Sequence, residues 1–259
     1  MVTTRADERE AIRRRVWNDL RRVARPDSRF HWDFNAFIPD FAGSDLCAAA
    51  VQALPEYRQA PTVCLTPDNA LANLRARSLA DGKTVIVPTY ALSRGFWRIA
   101  ADSVPAGQAA YAGTLDGLEQ FGQPWAVAAV APAARPGLLV TGASVINTDG
   151  VRLSTEPSYF DLEWLILVAL QVIAPDTPIV AVVHDCQVVD WPCAPQPFST
   201  IADTIVTPTR VLTIPPRYAK PDHIDWDWLD GEVIRAVPLL QTLYERQHSG
   251  TAPAPLAAA

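Results

Sequence analysis

The chain has 259 residues, of which 49% are hydrophobic and 19% charged, so it is long enough to bury a sizeable core and is not a disordered chain. Its formal net charge is −6 and its pI is about 5.2, and both argue against a nucleic-acid or anionic-membrane partner, because such partners require a clustered basic face. No stretch approaches the roughly 20 consecutive apolar residues of a membrane span.

Helical and extended segments alternate along the sequence. An N-terminal helix is predicted over residues 5–24, because Ile12, Val16, Leu20 and Val23 recur at helical spacing. Further helices are predicted over residues 44–54, 69–80, 160–173 and 224–243, and apolar strands over 62–66, 84–88, 137–142, 177–184 and 202–208. Buried strands that alternate with helices indicate an α/β protein with three αβα layers, in which helices cover both faces of a mostly parallel sheet.

We predict one α/β domain over residues 1–248 and a disordered Ala/Pro tail over residues 249–259. Residues 126–135 fit either a helix or a linker. No apolar run of the signal-peptide type precedes Arg5, so we expect a cytoplasmic protein with reduced thiols. The cysteines form no Cys-x-x-Cys pair and the four histidines are scattered, so no metal site is expected.

A cluster of arginines lies on the predicted N-terminal helix, at Arg13, Arg14, Arg15, Arg21 and Arg22. The apolar stripe of this helix leaves most of them on its solvated faces. A solvated face is therefore favoured over an anion-binding role for the cluster as a whole.

The most informative segment lies between Gly150 and Glu163. It reads Gly-Val-Arg-Leu-Ser-Thr-Glu-Pro-Ser-Tyr-Phe-Asp-Leu-Glu. It resembles the stretch Gly-x-Arg-Leu-Gly-Lys-Gly-x-Gly-Tyr-x-Asp-Leu-Glu of the 5-formyltetrahydrofolate cyclo-ligase family, and it matches at Gly150, Arg152, Leu153, Tyr159, Asp161, Leu162 and Glu163.

Other motifs extend the resemblance over roughly residues 10–243 and place it nearer the longer branch of the family, found in prokaryotes and in cyclo-ligase-domain proteins. They occur in the family's order and are Ile38-Pro39-Asp-Phe41-Ala-Gly43, Pro67-Asp68, Arg75-x-Arg77-x-Leu79, Asp81-Gly82-Lys83, Val183-His184-Asp185-Cys-Gln187-Val188-Val189-Asp190 and Val206-Thr207-Pro208-Thr209-Arg210-Val211.

The resemblance implies a three-layer αβα fold of the kind also seen in CoA transferases. For orthodox members it also implies the ATP- and Mg²⁺-dependent closure of 5-formyltetrahydrofolate to 5,10-methenyltetrahydrofolate. ATP there phosphorylates the formyl oxygen and turns a poor leaving group into a good one. By resemblance, Arg13 matches a basic residue that meets nucleotide phosphate, and Asp161 and Glu163 match acidic residues that help to hold Mg²⁺.

The departures from the family fall on the phosphate loop. Ser154, Thr155, Glu156, Pro157 and Ser158 replace its glycines and lysine. A phosphate cradle needs converging N–H groups, whereas Pro157 has none and Glu156 adds a negative charge. The family's later His-Asp is Phe198-Ser199 here, and the Pro-Gln-Arg-Pro of the longer branch is Ala70-Leu71-Ala72-Asn73. We expect no cofactor and little or no MgATP binding, while folate binding stays open.

Candidate catalytic residues are His184, Asp185 and Asp190, which follow a predicted strand at the edge where open α/β sheets bind ligands. Each could instead be structural, as a strand or turn cap. Cys186 shares a strand face with His184, but a small core cysteine is favoured over a nucleophile.

Candidate substrate-binding residues are Arg152, Tyr159, Asp161, Glu156 and Arg13. For Arg152 a salt bridge to Asp161 or Glu156 is an equal alternative, and Asp161 could serve the helix N-terminus. Aromatic residues that could stack on a pterin-like ring, although most are expected in the core, are Phe30, Trp32, Phe34, Phe37, Phe41, Trp97, Trp125 and Trp191.

These patterns predict a diverged cyclo-ligase-like enzyme that acts on a folate-like or other small heterocycle in a ring-closing, dehydrating or one-carbon step without ATP, conceivably in specialised metabolism. Two alternatives stay open. One is a non-catalytic ligand-binding or scaffold member of the family, and the other is an ATP-dependent cyclo-ligase with an altered loop. The expected partner is a small-molecule substrate, and a homodimer is left open.

Overall fold

The computed structural model describes residues 5–27, 32–34, 37–153 and 157–248. Its strands, in chain order, are β1 Thr62–Leu65, β2 Thr84–Pro88, β3 Phe96–Ala100, β4 Gln123–Pro124, β5 Leu138–Thr141, β6 Ile146–Asn147, β7 Ile179–Val182, β8 Val188–Val189, β9 Thr204–Val206 and β10 Val211–Thr213. Its α-helices are α1 Arg5–Leu20, α2 Ser44–Ala53, α3 Pro55–Gln59, α4 Ala72–Ala80, α5 Ala109–Ala112, α6 Leu115–Phe121, α7 Tyr159–Ala169, α8 Gly231–Ala236 and α9 Pro238–His248.

Eight of these strands form one sheet in the order β10-β9-β7-β5-β1-β2-β3-β4. The five central strands from β9 to β2 pair in parallel, whereas β10, β3 and β4 join antiparallel at the two edges. The short strands β6 and β8 form a separate parallel pair beside this sheet. The predicted mostly parallel sheet is confirmed.

Side chains of the central strands alternate between two apolar layers, as the pleat of a strand requires. In β1, Cys64 packs into a layer built with α7, α8 and α9, while Val63 and Leu65 pack into the opposite layer with α2 and α4. Helices therefore cover both faces of the sheet, and the predicted three-layer αβα arrangement is confirmed.

The predicted strands and helices are present with shifted ends. The helix predicted over residues 160–173 ends at Ala169, because Leu170 leaves the helical conformation and Gln171 takes a φ of 55°. The predicted C-terminal helical region is divided into α8 and α9, and residues 126–135 form two short 3-10 turns. None of the described helices combines the length and the apolarity that a membrane crossing requires.

The sequence predicted no element between residues 89 and 125, where the structure has β3, α5, α6 and β4. In β3 the exposed Arg98 and the half-buried Trp97 interrupt the apolar pattern, because this strand lies towards the edge of the sheet. Its pairing with β2 is a long-range contact that the local pattern did not reveal.

The strand order creates a crevice at the carboxyl end of the sheet. The chain passes from β1 to β2 on one side, and then returns to place β5 on the other side of β1. Loops that leave β1 and β5 therefore diverge, and such a switch point is where open α/β sheets usually bind ligands.

Candidate functional site

A cleft of about 420 Å³ opens at this switch point, between the loops after β1, β2 and β5, the helix α1 and the start of α7. Its walls include the aromatic side chains of Trp17, Phe34, Phe37, Tyr90, Tyr159 and Phe160. Its polar lining includes Arg13, Thr66, Asp68, Asn69, Arg152 and Glu163. The size and the mixed lining are those of a small-molecule site.

Asp68 enters the cleft from the loop after β1. Its Oδ2 atom accepts hydrogen bonds from the hydroxyl of Thr66 and, at 2.9 Å, from the backbone N–H of Gly142. Burial raises the pKa of the Asp68 carboxyl, although these two hydrogen bonds and the charges of Arg75 and Arg152 act in the opposite direction. The carboxyl is therefore held in position by both central strands that border the crevice.

Gly142 permits this close approach. A Cβ atom at that position would lie 2.9 Å from Cγ2 of Ile38 and 3.0 Å from Oδ2 of Asp68. Arg75, fully enclosed beneath the cleft, donates to the carbonyl oxygens of Thr66 and Asp68 and so fixes the loop from below. Burial lowers the pKa of Arg75 to about 10, which leaves it charged at neutral pH.

Glu163 lines the cleft from the first turns of α7. Only 3% of the residue is exposed, and no described residue gives a hydrogen bond to its Oε2 atom. Burial, together with the neighbouring charge of Asp68, raises the pKa of Glu163 well above its ordinary value of 4.5. The side chain is therefore a neutral carboxylic acid over a range of pH where an exposed glutamate is ionised.

Arg152 and Asp161 form a buried ion pair beside the cleft. Nη2 of Arg152 donates to Oδ1 of Asp161 at 2.6 Å and to Oγ1 of Thr200 at 2.7 Å. Asp161 also accepts two hydrogen bonds from Ser158 and two from Thr200, and with Ser158 it forms the capping box of α7. The salt bridge left open as an alternative for Arg152 is present, and Arg152 lines the cleft as well.

Arg13 and Tyr159 reach the cleft from opposite sides. Arg13 donates to Glu10 at 2.6 Å and lies over the ring of Trp17, whose Nε1 donates to Oγ of Ser144. Tyr159 is 52% exposed at the mouth, and its ring centroid lies 6.5 Å from that of Tyr90. The structure thus brings Arg13, Arg152 and Tyr159 to one cleft.

Glu156 and Phe30 lie outside the described residues. Among the other aromatic candidates, Phe34 and Phe37 line the cleft, whereas Phe41 is fully buried in the core beside the sheet. The residues that line the cleft do not include Trp32, Trp97, Trp125 or Trp191.

His184, Asp185 and Asp190 do not line this cleft. Asp185 accepts hydrogen bonds from Thr207 and Thr209 at 2.6 Å each and faces Arg210, and these partners lower the pKa of its carboxyl against the effect of burial. The ring of His184 packs edge-on against Phe41. The contacts of His184 and Asp185 are those of strand and turn caps, while Asp190 is exposed at the end of β8.

Cys186 lies beside His184, with its Sγ atom 3.2 Å from Nδ1 of the imidazole. Burial nevertheless raises the pKa of Cys186 to about 11. A thiol that stays protonated at neutral pH is a poor nucleophile, which favours the core interpretation of this cysteine.

Sequence reasoning did not single out Asp68 or Glu163 as site residues. A signal for Glu163 exists, because it is the one glutamate of a helix whose neighbours Phe160, Leu162 and Trp164 are all apolar and buried. A buried carboxyl without a cation beside it is costly and therefore usually has a purpose. For Asp68 the signal was its place directly after the Pro67 that ends the β1 segment.

The described residues do not fit MgATP in the manner that the resemblance implies. All five hydrogen bonds accepted by Asp161 come from Arg152, Ser158 and Thr200, which leaves little capacity for a metal ion. Glu163 is held neutral, whereas a magnesium ligand must be ionised. Pro157, which lines the cleft on the loop side, has no N–H to offer a phosphate.

Comparison with known proteins agrees with the motifs. Over 250 residues the chain is 30% identical to the methenyltetrahydrofolate synthase domain-containing protein of Mus musculus, covering 95% of this chain and 66% of that protein. The human protein of the same name is 28% identical over 242 residues, covering 92% and 62%. The chain thus spans slightly less than two thirds of these relatives' length.

The NMR structure of Aquifex aeolicus 5,10-methenyltetrahydrofolate synthetase is similar with a TM-score of 0.48 and 16% sequence identity, covering 82% of this chain and 94% of that chain. The model of the 5-formyltetrahydrofolate cyclo-ligase family matches residues 5–208, which is most of the chain. The chain therefore belongs to the 5-formyltetrahydrofolate cyclo-ligase family.

Proposed function

We propose that this chain is an enzyme that closes a ring, with loss of water, in an N-formylated reduced heterocycle of the folate type, and that it does so without ATP. Family membership supports the folate-like substrate class. The observation that carries the proposal is the cleft at the switch point, where aromatic walls surround two enclosed carboxyl groups, Asp68 and Glu163.

The cleft has the chemistry of a site for a flat heterocycle that carries N–H donors. Trp17, Phe34 and Phe160 supply apolar surface against which a ring can pack. Asp68, anchored through Oδ2, presents the rest of its carboxyl towards the cleft, and a carboxyl group is a natural partner for amino and ring N–H groups. This combination favours a pterin-like ring over a purely apolar ligand.

Independence from ATP is supported by the neighbourhood of the altered loop. Asp161 is committed to the capping box of α7 and to Arg152, so it serves the fold rather than a metal ion. Pro157 and the loss of every loop glycine after Gly150 remove the N–H groups that a polyphosphate would need.

Separate calorimetric and thermal-shift titrations with 5-formyltetrahydrofolate, tetrahydrofolate and MgATP test the proposal. A ligand at 100 times its dissociation constant stabilises the native state by about 2.7 kcal/mol, which is readily measured as a shift in Tm. We expect folate binding without MgATP binding, followed by formation of the methenyl product from the formyl substrate. Binding of MgATP, or turnover only in its presence, would restore the ATP-dependent reaction, and folate binding without turnover would indicate a ligand-binding member of the family.

A matched pair of tyrosine variants locates the binding site. Tyr159 lines the cleft and is 52% exposed, whereas Tyr111 is 42% exposed and does not line the cleft. We expect Tyr159→Ala to weaken folate binding roughly tenfold through loss of ring contact, and Tyr111→Ala to leave it unchanged. Equal effects of the two variants would place the ligand elsewhere.

A further inference from the structure

Glu163 has the placement of a group that acts on a ligand rather than on the fold. It lines the cleft while 97% of the residue is enclosed, since its exposed fraction is 3%. Its Oε2 atom is buried and receives no hydrogen bond from any described residue. An enclosed polar atom without a partner costs free energy, so its retention beside a cleft points to a partner that the ligand supplies.

The charged and titratable groups around Glu163 come from several elements. Asp68 approaches from the loop after β1, Arg152 from the segment before α7, and Asp161 from α7 itself, while the thiol of Cys64 lies beneath in β1. Arg152 donates through Nη2 to Asp161 and Thr200, so the ion pair forms with Asp161 and not with Glu163. Glu163 therefore has an acidic neighbour and no bonded cation among the described residues.

We propose that Glu163 is the general acid of the ring-closing step and supplies the proton with which the formyl oxygen leaves as water. This inference rests on the proposed function. The amine nitrogen beside the formyl group attacks the formyl carbon, and its proton moves to the formyl oxygen to give a hydroxyl group. Glu163 then transfers its proton to that hydroxyl, the C–O bond breaks with its electron pair on oxygen, and water departs.

The lone pair of the nitrogen that carried the formyl group forms the new C=N bond, and the product is a cyclic amidinium cation. The carboxylate of Glu163, together with Asp68, then faces this cation, and solvent later returns the proton to Glu163. Atoms and charge balance as substrate plus one proton giving product plus water. Protonation by a positioned acid makes the hydroxyl a good leaving group, which is the task that phosphorylation performs in the orthodox reaction.

The apolar surroundings of the helix suit this role. Burial and the nearby Asp68 raise the pKa of Glu163, so that its carboxyl still carries a proton near neutral pH. A general acid acts only while it is protonated, so the rate is expected to fall as pH rises through that raised pKa.

The test compares wild type with Glu163→Gln, which keeps the size and the hydrogen-bonding ability of the side chain but has no acidic proton. The matched control is Glu119→Gln, because Glu119 pairs with Arg94 on the surface and does not line the cleft. Single-turnover conversion of 5-formyltetrahydrofolate is followed without ATP across a series of pH values, and folate affinity is measured by calorimetry. Infrared spectroscopy detects the protonated carboxyl directly at neutral pH.

We expect Glu163→Gln to lose about 100-fold or more in rate while its folate affinity changes by only a few-fold, and Glu119→Gln to match wild type. The infrared band of a protonated carboxyl is expected in wild type and not in Glu163→Gln. Wild-type turnover that survives in Glu163→Gln, or a missing carboxyl band in wild type, would overturn the role of Glu163 alone. No wild-type turnover without ATP would overturn the proposed function and this step with it.

Discussion

Nη2 of Arg152 lies 2.6 Å from Oδ1 of Asp161, and only 8% and 1% of the two side chains are exposed. This pair joins the segment before α7 to the capping box that begins the helix, and Thr200 closes the arrangement from the loop that precedes β9. Two residues for which the resemblance implied ligand contacts thus stabilise the cleft wall.

Breaking this pair is expected to destabilise the protein strongly. In Asp161→Ala the guanidinium of Arg152 stays enclosed without its partner, and removal of one member of a buried pair typically costs about 3–5 kcal/mol. Chemical denaturation measures the loss in the free energy of unfolding. Asp149→Ala is the control, because it breaks the more exposed pair with Arg217, and such pairs contribute about 0–1 kcal/mol. Similar losses in the two variants would contradict the structural role of Asp161.

Substitution of Gly142 is expected to displace Asp68. The added methyl of Gly142→Ala would lie 3.0 Å from Oδ2 of Asp68 and 2.9 Å from Ile38, and overpacking of this kind typically costs about 1–3 kcal/mol. Folate affinity should fall with stability, as calorimetry and denaturation would show. Gly231→Ala is the matched control, because its nearest neighbour is the flexible end of Arg235. Unchanged folate affinity in Gly142→Ala would separate Asp68 from the binding site.

The pH dependence of stability should report the protonation of Glu163. Its pKa is raised in the folded protein, so above the ordinary value of 4.5 the folded state binds more protons than the unfolded state, and stability is lost as pH rises towards the raised pKa. The slope for one proton is at most about 1.4 kcal/mol per pH unit. Denaturation of wild type and Glu163→Gln between about pH 5 and pH 7 should show the variant gaining relative stability with pH. A constant difference across this range would show that Glu163 is ionised in the folded protein.

The thiol of Cys186 is expected to be unreactive in the native protein. With a pKa of about 11, roughly one thiol in ten thousand is ionised at pH 7. Iodoacetamide followed by mass spectrometry should label Cys186 slowly in the native state and rapidly after denaturation. Cys186→Ser should retain catalytic activity. Rapid native labelling, or loss of turnover in a folded Cys186→Ser protein, would revive the nucleophile hypothesis.

The central strands and their flanking helices could be predicted from sequence because each carries a strong local pattern. Thr84–Pro88 reads as a short apolar run between a glycine turn and a proline, and α7 as a long apolar run behind a serine cap. The β3–β4 edge could not be predicted in the same way, because Arg98 and Gln123 face away from the core and only pairing with β2 defines the strand.

The candidate site divides along the same line. Arg152, Tyr159 and Arg13 were selected from motifs, and the structure places all three at the cleft. His184 and Asp185 were selected because they follow a strand at the correct edge of the sheet, but the crevice lies beside β1 and β5, and β7 carries them away from it. Which strand end borders the crevice depends on strand order, and strand order is set by long-range packing.

The sequence by itself determined the family, the αβα class and the loss of the loop glycines, because these are carried by residue identities and by local periodicity. Only the tertiary structure decided which carboxyl groups serve the fold and which face the cleft. Asp161 and Glu163 are two residues apart on one helix, yet Asp161 is fully hydrogen-bonded and Glu163 keeps an unpartnered buried oxygen among the described residues. The difference arises because successive side chains of a helix point about 100° apart, so two positions along α7 separate the capped end of the helix from the interior of the cleft.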